Sequence, residues 1–291
     1  MDDQKIHLRS YLILGLLSIV WGSSFILMKK ALISFPPFTL AAMRIAISGL
    51  AFLPIIIINW KKIPWEKWKY FLLVGLTGSG IPAFMYFLAQ TNINSTVSGL
   101  LNSLTPIFTF IIGILFFGSK SSRSKIIGIT LGFLGAALLI MFAEEKGQNK
   151  NLWYGLFVVI GTMCYGVSGN VVKHYFQDVK STIISGLSFV MISIPAIIYL
   201  LIDGQLFAFQ GSTQEWYSLS ALVALALIGT VWASVLFYQL VQNTNAVFGS
   251  SVAYLMPIVA ILWGIIDGEV IGPIIFVSIA TILFGVHLIR K

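Results

Sequence analysis

Apolar runs follow one another along the chain and are separated by short polar stretches. Each run holds close to the roughly 20 residues that a helix needs to cross the hydrocarbon core of a bilayer. The pattern predicts ten transmembrane helices, at Tyr11–Met28, Pro37–Ile58, Trp68–Ala89, Ser95–Phe117, Lys125–Phe142, Leu152–Val172, Thr182–Ile202, Trp216–Leu240, Asn245–Ile266 and Ile271–Ile289. The stretches between them are too short for a separate soluble domain, so we expect one polytopic, all-α membrane protein.

This pattern repeats itself 151 residues later, where Gly78 falls on Gly229. The motif Leu-x-Pro-Ile that contains Pro106 falls at the same offset on the one that contains Pro257. Self-similarity at a fixed offset indicates an internal duplication. Five crossings in each copy force the second copy to enter the membrane upside down. The sequence therefore predicts two inverted five-helix repeats, at 12–142 and 152–289.

The composition excludes an ordinary soluble domain, in which about a quarter of the residues are charged. Here 58% of the residues are hydrophobic, 10% are charged and the mean hydropathy is +0.94. The lipid bilayer is therefore a predicted partner. The single cysteine, Cys164, lies within an apolar run, which excludes a disulfide framework and a cysteine-based metal site.

Lysine and arginine predict the orientation, because they are enriched in cytoplasmic loops. With the N-terminus inside, the inner stretches carry thirteen Lys and Arg and the outer loops carry four, while six acids also lie outside. Both termini are thus predicted to be cytoplasmic in a multi-pass protein of the cell membrane. The net charge of +8 is a topology signal and does not indicate nucleic-acid binding. The first run is expected to remain as a helix, since no small-residue cleavage pattern follows it.

Polar residues recur every three or four positions in the fourth run, at Ser95, Ser98, Asn102, Thr105 and Thr109. That spacing puts all five on one helical face. Lipid offers no hydrogen-bond partners, so this face either bonds to other helices or lines a cavity. Pro106 removes a helical hydrogen bond and frees the carbonyl of Asn102 for a solute or a side chain. In the ninth run the same offset yields mostly small residues, which leaves room opposite the polar face.

Arg44 is the only charged residue well inside an apolar run. An intramembrane charge indicates a functional site by default. At this depth, however, the side chain can also snorkel outward or pair with Asp267 or Glu269. Six aromatic residues lie at mid-membrane depth or nearer the helix ends. Their rings either clamp an organic solute or pack within the bundle. They are Trp21, Tyr165, Trp232, Tyr86, Tyr238 and Tyr254.

Several kinds of chemistry are missing from the sequence. No Asp or Glu lies at mid-membrane depth, which favours a neutral or zwitterionic solute over proton-coupled export of cations. There is no nucleotide-binding loop, no zinc-ligand spacing and no nucleophile with its base. We therefore expect no catalytic residues, no metal, no cofactor and no enzymatic activity.

The segment Trp21-Gly22-Ser23-Ser24-Phe25, Arg44, the Pro106 and Pro257 helices and Gly268-Glu269 resemble the EamA-type members of the drug/metabolite transporter superfamily. The resemblance covers nearly the whole chain. It implies an inverted-repeat carrier whose central cavity is formed mainly by helices 1, 3, 4, 6, 8 and 9, and which moves small metabolites, often amino acids and often outward. The implied cavity residues are Trp21, Ser24, Tyr86, Ser98, Asn102, Tyr165, Trp232 and Tyr254. The first copy departs from the family pattern, because Ser119 follows Gly118 where a glutamate is expected.

Together these features predict a secondary transporter that exports a small organic metabolite, an amino acid or a related compound, by alternating access. The eight residues above and Arg44 are its predicted substrate-binding residues. The alternatives are a membrane-embedded lipid-handling protein or enzyme without solute transport, and a purely structural partner. The solute, the coupling ion and the oligomeric state remain open at this point.

Overall fold

The computed structural model describes residues 8–119, 122–142, 151–205, 209–269 and 271–290, and every regular element in these ranges is helical. Nine of the described helices are long and apolar enough to cross a membrane, and a tenth apolar helix is shorter. They are α1 (Leu8–Ala31), α2 (Pro37–Ile58), α3 (Trp65–Ala89), α4 (Ser95–Phe117), α5 (Arg123–Met141), α6 (Gly155–Tyr175), α7 (Ser181–Asp203), α8 (Thr213–Asn243), α9 (Ala246–Ile266) and α10 (Pro273–Arg290). The predicted all-α architecture of ten helical segments in two halves is confirmed.

Several helices extend beyond the apolar runs because polar residues form their first turns. The helix α8 begins three residues before its predicted start, since Ser212 and Glu215 form a reciprocal capping box there. The even number of helices puts residues 8 and 290 on the same face of the bundle. We call this the terminal face, and we call the face that carries the α1–α2 and α9–α10 connections the opposite face.

Two helices contain a wide π-helical turn at equivalent positions of the two halves. The turn in α3 covers Leu76–Gly80, and the turn in α8 covers Leu227–Trp232, so both begin at residues 151 apart. A π-turn leaves a backbone carbonyl without its usual helical partner, and such turns occur frequently at functional sites. The matched glycines, Gly78 and Gly229, lie within these two turns.

The helices α4 and α9 begin with the same cap. The side chain of Asn94 accepts a hydrogen bond from the Val97 N–H at 2.8 Å, and Asn245 accepts one from the Phe248 N–H at 2.8 Å. An asparagine in this position satisfies one of the free N–H groups of a helix start. The asparagine that matches between the two copies therefore has a structural role, as the N-cap of α4 and of α9.

The prolines of α4 and α9 each free the carbonyl four residues earlier, and a hydroxyl takes it in both cases. The Thr105 hydroxyl donates to the Asn102 carbonyl at 2.7 Å, and the Ser103 hydroxyl donates to the Ala253 carbonyl at 3.1 Å. Of the two uses predicted for the Asn102 carbonyl, the structure shows the bond to a side chain.

Helix pairing follows an approximate twofold relation between the halves. The helix α1 packs along α9 and its counterpart α6 packs along α4, while α2 packs against α7 and α5 against α10. The first part of α4 is almost wholly buried in the middle of the bundle. Large apolar side chains such as Ile58 and Ile202 are exposed on the outside, as expected of a surface that meets lipid.

Candidate functional site

A central cavity lies among eight helices, α1 to α4 and α6 to α9, and both halves of the chain contribute to its wall. The space between the side chains is about 820 Å³ when the part open to solvent is included. The helices α2 and α7 add Arg44 and Phe189 to the six helices that the family resemblance implies. Among the described residues, Arg44 is the only charged side chain in the wall.

The structure brings six of the nine predicted substrate-binding residues to this cavity: Trp21, Ser24, Arg44, Tyr86, Asn102 and Tyr165. The other three lie outside its wall. Ser98 is fully buried between helices, and Tyr254 is partly buried on α9. Trp232 is 44% exposed at the last position of the α8 π-turn, on the outside of the bundle. Solute contact stays a prediction for all nine.

The π-turn of α8 anchors two of the cavity residues. The indole N–H of Trp21 donates to the Gly229 carbonyl at 2.8 Å, and Nε of Arg44 donates to the Thr230 hydroxyl at 2.8 Å. The Thr230 hydroxyl in turn donates to the Leu225 carbonyl at 3.0 Å, five residues earlier. Because a π-turn displaces its backbone groups from the usual helical ladder, these atoms are available to side chains from the first half.

Arg44 is 7% exposed, so it does not snorkel to the surface. It also does not pair with Asp267 or Glu269, which are bound by lysines instead. Of the interpretations that the sequence left open, the structure supports a charge that stays inside the bundle.

The polar face of α4 meets the small-residue face of α9 at the cavity. The Tyr86 hydroxyl donates to Oδ1 of Asn102, and Nδ2 of Asn102 lies 3.4 Å from Sδ of Met256. Ala253 and Gly249 complete the α9 side of the wall. The amide group of Asn102 is thus held between the two halves with its dipole fixed.

Only part of the polar face of α4 reaches the cavity, because the helix tightens into a 3₁₀ turn at Asn102–Leu104. Asn102 and Thr105 line the wall. Ser95 bonds to Glu269, and Thr109 is buried with its hydroxyl on the Thr105 carbonyl at 2.8 Å. The face therefore serves both of the uses that were predicted as alternatives, interhelical bonding and cavity lining.

Aromatic rings form two connected groups in the wall. In the first, the ring centre of Tyr86 lies 6.0 Å from that of Phe25 and 5.9 Å from that of Tyr165. In the second, Phe237 lies 5.1 Å from Trp21 and 5.8 Å from Tyr238. Rings at these separations make favourable edge and offset contacts. The wall is consequently mostly apolar with a few hydrogen-bonding groups, which suits an organic solute.

An ionic cluster joins the two halves at the opposite face, and we call it the latch. Its members are Lys29 and Lys30 at the end of α1, Asp267 and Glu269 after α9, and the first residues of α4. Lys29 contacts the Asp267 carboxylate at 2.6 Å and that of Glu269 at 2.7 Å, and Lys30 pairs with Asp267. The latch joins the end of the first half's first helix to the end of the second half's fourth.

Glu269 also binds the start of α4. The N–H and hydroxyl of Ser95 donate to Oε1 at 3.1 and 2.6 Å, and those of Thr96 donate to Oε2 at 3.0 and 2.6 Å. A carboxylate at a helix N-terminus satisfies free N–H groups and complements the helix dipole. The side chain of Glu269 is only 3% exposed, so these bonds are shielded from water.

The latch holds both carboxylates ionised at neutral pH. Burial alone raises the pKa of Glu269, but the bonds from Lys29, Ser95 and Thr96 outweigh it and leave the pKa below the ordinary 4.5. For Asp267 burial also raises the pKa, and Lys29 and Lys30 bring it below the ordinary 3.8. Both groups thus favour the closed arrangement in their charged form.

Comparison with known proteins identifies the family. The family model of the EamA-like transporter family matches residues 8–141 and 152–291. The chain belongs to this family. It is a family of transporters and not of enzymes, so this EamA-like chain is a multi-pass membrane transporter that acts on a solute.

Curated relatives of this EamA-like transporter include bacterial and archaeal proteins. The chain is 25% identical over 279 residues to the uncharacterized inner membrane transporter YedA of Escherichia coli K12, covering 94% of this chain and 88% of YedA. It is 24% identical over 258 residues to an uncharacterized transporter of Archaeoglobus fulgidus, covering 88% of this chain and 89% of the relative. A solved crystal structure shares the fold with a TM-score of 0.63 at 19% identity over 96% of both chains.

The terminal face of the EamA-like chain has no copy of the latch in the described residues. Ser119 takes the place of Glu269, since its N–H bonds to the Gly113 carbonyl at 2.9 Å as that of Glu269 bonds to Gly264 at 2.8 Å. Lys173, near the end of α6, donates to the carbonyls of Gln242 and Thr244 at 3.0 and 2.6 Å. Neutral carbonyls therefore replace the carboxylates as partners of Lys173, while a separate ion pair between Lys67 and Asp178, at 2.7 Å, also joins the two halves on this face.

Several wall residues were not predicted, among them Gly78, Ser168, Gly229 and Thr230. A side chain at Gly78 would meet the Tyr238 hydroxyl, and one at Gly229 would meet the Ser24 hydroxyl. The signal for the two glycines was present, because they match each other at the repeat offset. Thr230 had no such signal, since its role follows from the π-turn.

Among the described residues, no three His, Cys, Asp or Glu side chains gather as a metal site.

Proposed function

We propose that this EamA-like chain is a secondary transporter that exports a small organic metabolite, an amino acid or a related compound, by alternating access of two repeats at 12–142 and 152–289. The observation that carries the proposal is a cavity lined by both halves, with an ionic latch that joins the halves at one face. In carriers built from inverted repeats, the solute site lies near the mid-plane between the repeats, and one repeat moves against the other around it.

The chemistry of the wall supports a small organic solute. The cavity combines two groups of aromatic rings with the hydroxyls and amide of Tyr86, Asn102 and Thr230. These groups come from helices of both repeats, so a solute bound there contacts both of them. A change in the relative position of the repeats alters those contacts, and this couples binding to the opening of one face.

The proposed export direction is supported by the proposed orientation. The excess of Lys and Arg on the terminal face supports a cytoplasmic location of both termini in the cell membrane. In this orientation the latch lies on the outer side, and we propose that the arrangement in which it is formed takes up solute from the cytoplasm. Labelling of Arg9→Cys and Glu215→Cys variants from outside the cell tests this, and we expect only the second to react.

Counterflow in proteoliposomes tests the transport function. Vesicles loaded with unlabelled amino acids, sugars or nucleobases are mixed with the labelled compound, and we expect transient accumulation for at least one class. Protein-free vesicles give the background. Folded protein that moves no compound of a broad panel would overturn the proposal, and lipid flipping without solute flux would favour the lipid-handling alternative.

A further inference from the structure

Arg44 places an unbalanced positive charge in the central cavity. Among the described residues its guanidinium makes one hydrogen bond, from Nε to Thr230, and no acidic side chain forms an ion pair with it. An arginine side chain has five N–H donors. Four donors therefore remain for a partner in the cavity.

This charge cannot be removed by deprotonation, because arginine stays protonated in proteins. A buried charge is tolerated in a membrane when it is paired or faces a polar cavity. Asp267 and Glu269 are engaged with Lys29 and Lys30 at the opposite face. None of the acids in the described residues pairs with Arg44, so we expect its counter-charge to come from the solute or from an inorganic anion.

The surroundings of Arg44 favour an organic anion. Arg44 shares the cavity wall with the phenols of Tyr165 and Tyr86, whose rings continue to Phe25. A carboxylate can take two parallel hydrogen bonds from a guanidinium, and an attached apolar body is buried against the rings. An inorganic anion uses only the first of these interactions.

We propose that the transported solute is a small organic anion whose carboxylate pairs with Arg44 and whose apolar body packs against Phe25, Tyr86 and Tyr165. This inference rests on the proposed transport function and names a solute with a net negative charge, in place of the neutral or zwitterionic solute that the sequence favoured. A solute with only an amine finds no carboxylate in the described wall of the cavity. Transport of a single anion moves one negative charge, so an inside-negative potential drives its export, roughly 50-fold for each 100 mV.

Ligand-induced stabilisation of the purified wild-type protein tests the binding step. The probes are 3-phenyllactate, its uncharged amide 3-phenyllactamide, and potassium chloride. We expect the acid to raise the unfolding temperature, and the amide to require at least about 30-fold higher concentration for the same rise. Equal effects of acid and amide would overturn the inference. Chloride that reproduces the rise and displaces the acid would overturn it as well.

Substitution of Arg44 tests the partner of the carboxylate. Arg44→Gln should weaken binding of 3-phenyllactate roughly 100-fold, and Arg44→Lys, which keeps the charge but not the planar fork, about tenfold. Arg123→Gln makes the same chemical change at the exposed start of α5 and should leave binding unchanged. Wild-type affinity in Arg44→Gln would refute the assignment. If that variant does not fold, the comparison of the acid and the amide on the wild-type protein still tests the inference.

Flux under a set membrane potential separates this inference from the proposed function. Proteoliposomes with a potassium diffusion potential receive labelled 3-phenyllactate, with protein-free liposomes as background. We expect faster uptake when the interior is positive and slower uptake when it is negative. Flux of acid and amide at equal rates without potential dependence overturns the anion inference and leaves transport standing. A folded protein that moves neither these nor any compound of the counterflow panel overturns both.

Discussion

Replacement of Glu269 by glutamine removes the charge at the centre of the latch while keeping its shape. The carboxylate accepts four hydrogen bonds from Ser95 and Thr96 and contacts Lys29 at 2.7 Å. Glutamine keeps one acceptor oxygen and replaces the other with an amide N–H₂. One pair of donors at the start of α4 therefore loses its acceptor, and Lys29 loses one of its two carboxylates.

The magnitude follows from the burial of this group. The Glu269 side chain is 3% exposed, so its bonds are weakened little by solvent, although Lys29 is 34% exposed and its share is smaller. Removing one partner of a buried, hydrogen-bonded ion pair costs about 3–5 kcal/mol. If these bonds exist only while the opposite face is closed, the closed-to-open ratio falls by roughly 10² to 10³·⁵.

Cysteine accessibility measures this shift. In a Cys164→Ser background, Met28→Cys places a thiol in the cavity wall near the opposite face. A membrane-impermeant maleimide is applied to that face in sealed vesicles of known orientation. We expect Glu269→Gln to speed labelling by at least tenfold, because the open state becomes more populated.

Glu215→Gln is the matched control, because it removes a carboxylate from an exposed capping box on the same face. Labelling within twofold of the parent in a folded Glu269→Gln protein would refute the reasoning. The pH dependence gives a second check. The folded-state pKa of Glu269 lies below 4.5, so its contribution is complete above that pH and is lost as the pH falls through the lowered value. Labelling of the parent, relative to that of a fully exposed cysteine at the same pH, should rise in that acidic range, and that of Glu269→Gln should rise less.

Three further predictions concern the terminal face and the cavity. Ser119→Glu supplies the glutamate missing from the first repeat and should slow thiol labelling from the terminal face at least severalfold. Gly78→Ala should lower flux about tenfold or more, since the added methyl group meets the hydroxyls of the cavity wall. Gly15→Ala is the control and should leave flux unchanged, because its added methyl group meets nothing within 4 Å. In counterflow, Asn102→Ala should reduce flux more than Trp232→Ala at equal expression, and the reverse order would argue against the observed cavity.

The sequence predicted the fold because a bilayer permits few alternatives. Apolar runs of spanning length must become helices, since every backbone group needs an internal partner in lipid. The repeat offset then related the two halves, down to the shared Asn94 and Asn245 caps. Helix ends were less well predicted, because polar capping residues such as Ser212 lie outside the apolar pattern.

The site was predictable only in part, for two physical reasons. Facing directions computed from an ideal helix fail after a π-turn, so the exposed position of Trp232 and the role of Thr230 could not be read from spacing. The partners of Asp267 and Glu269 were equally hard to predict, because the sequence contains both Arg44 and two lysines, Lys29 and Lys30, that could pair with them. The structure resolves the choice by depth, as the lysines end α1 beside Asp267 and Arg44 lies farther inside.

The single latch has a consequence for how the empty protein behaves between cycles. With carboxylates at one face and a serine at the matching position of the other, we expect the two shut arrangements to differ in free energy and the unloaded molecule to rest with the latch formed. Solute that accumulates on the latched side then meets few vacant sites. The protein would act as a check valve, whose forward rate declines little as its product builds up.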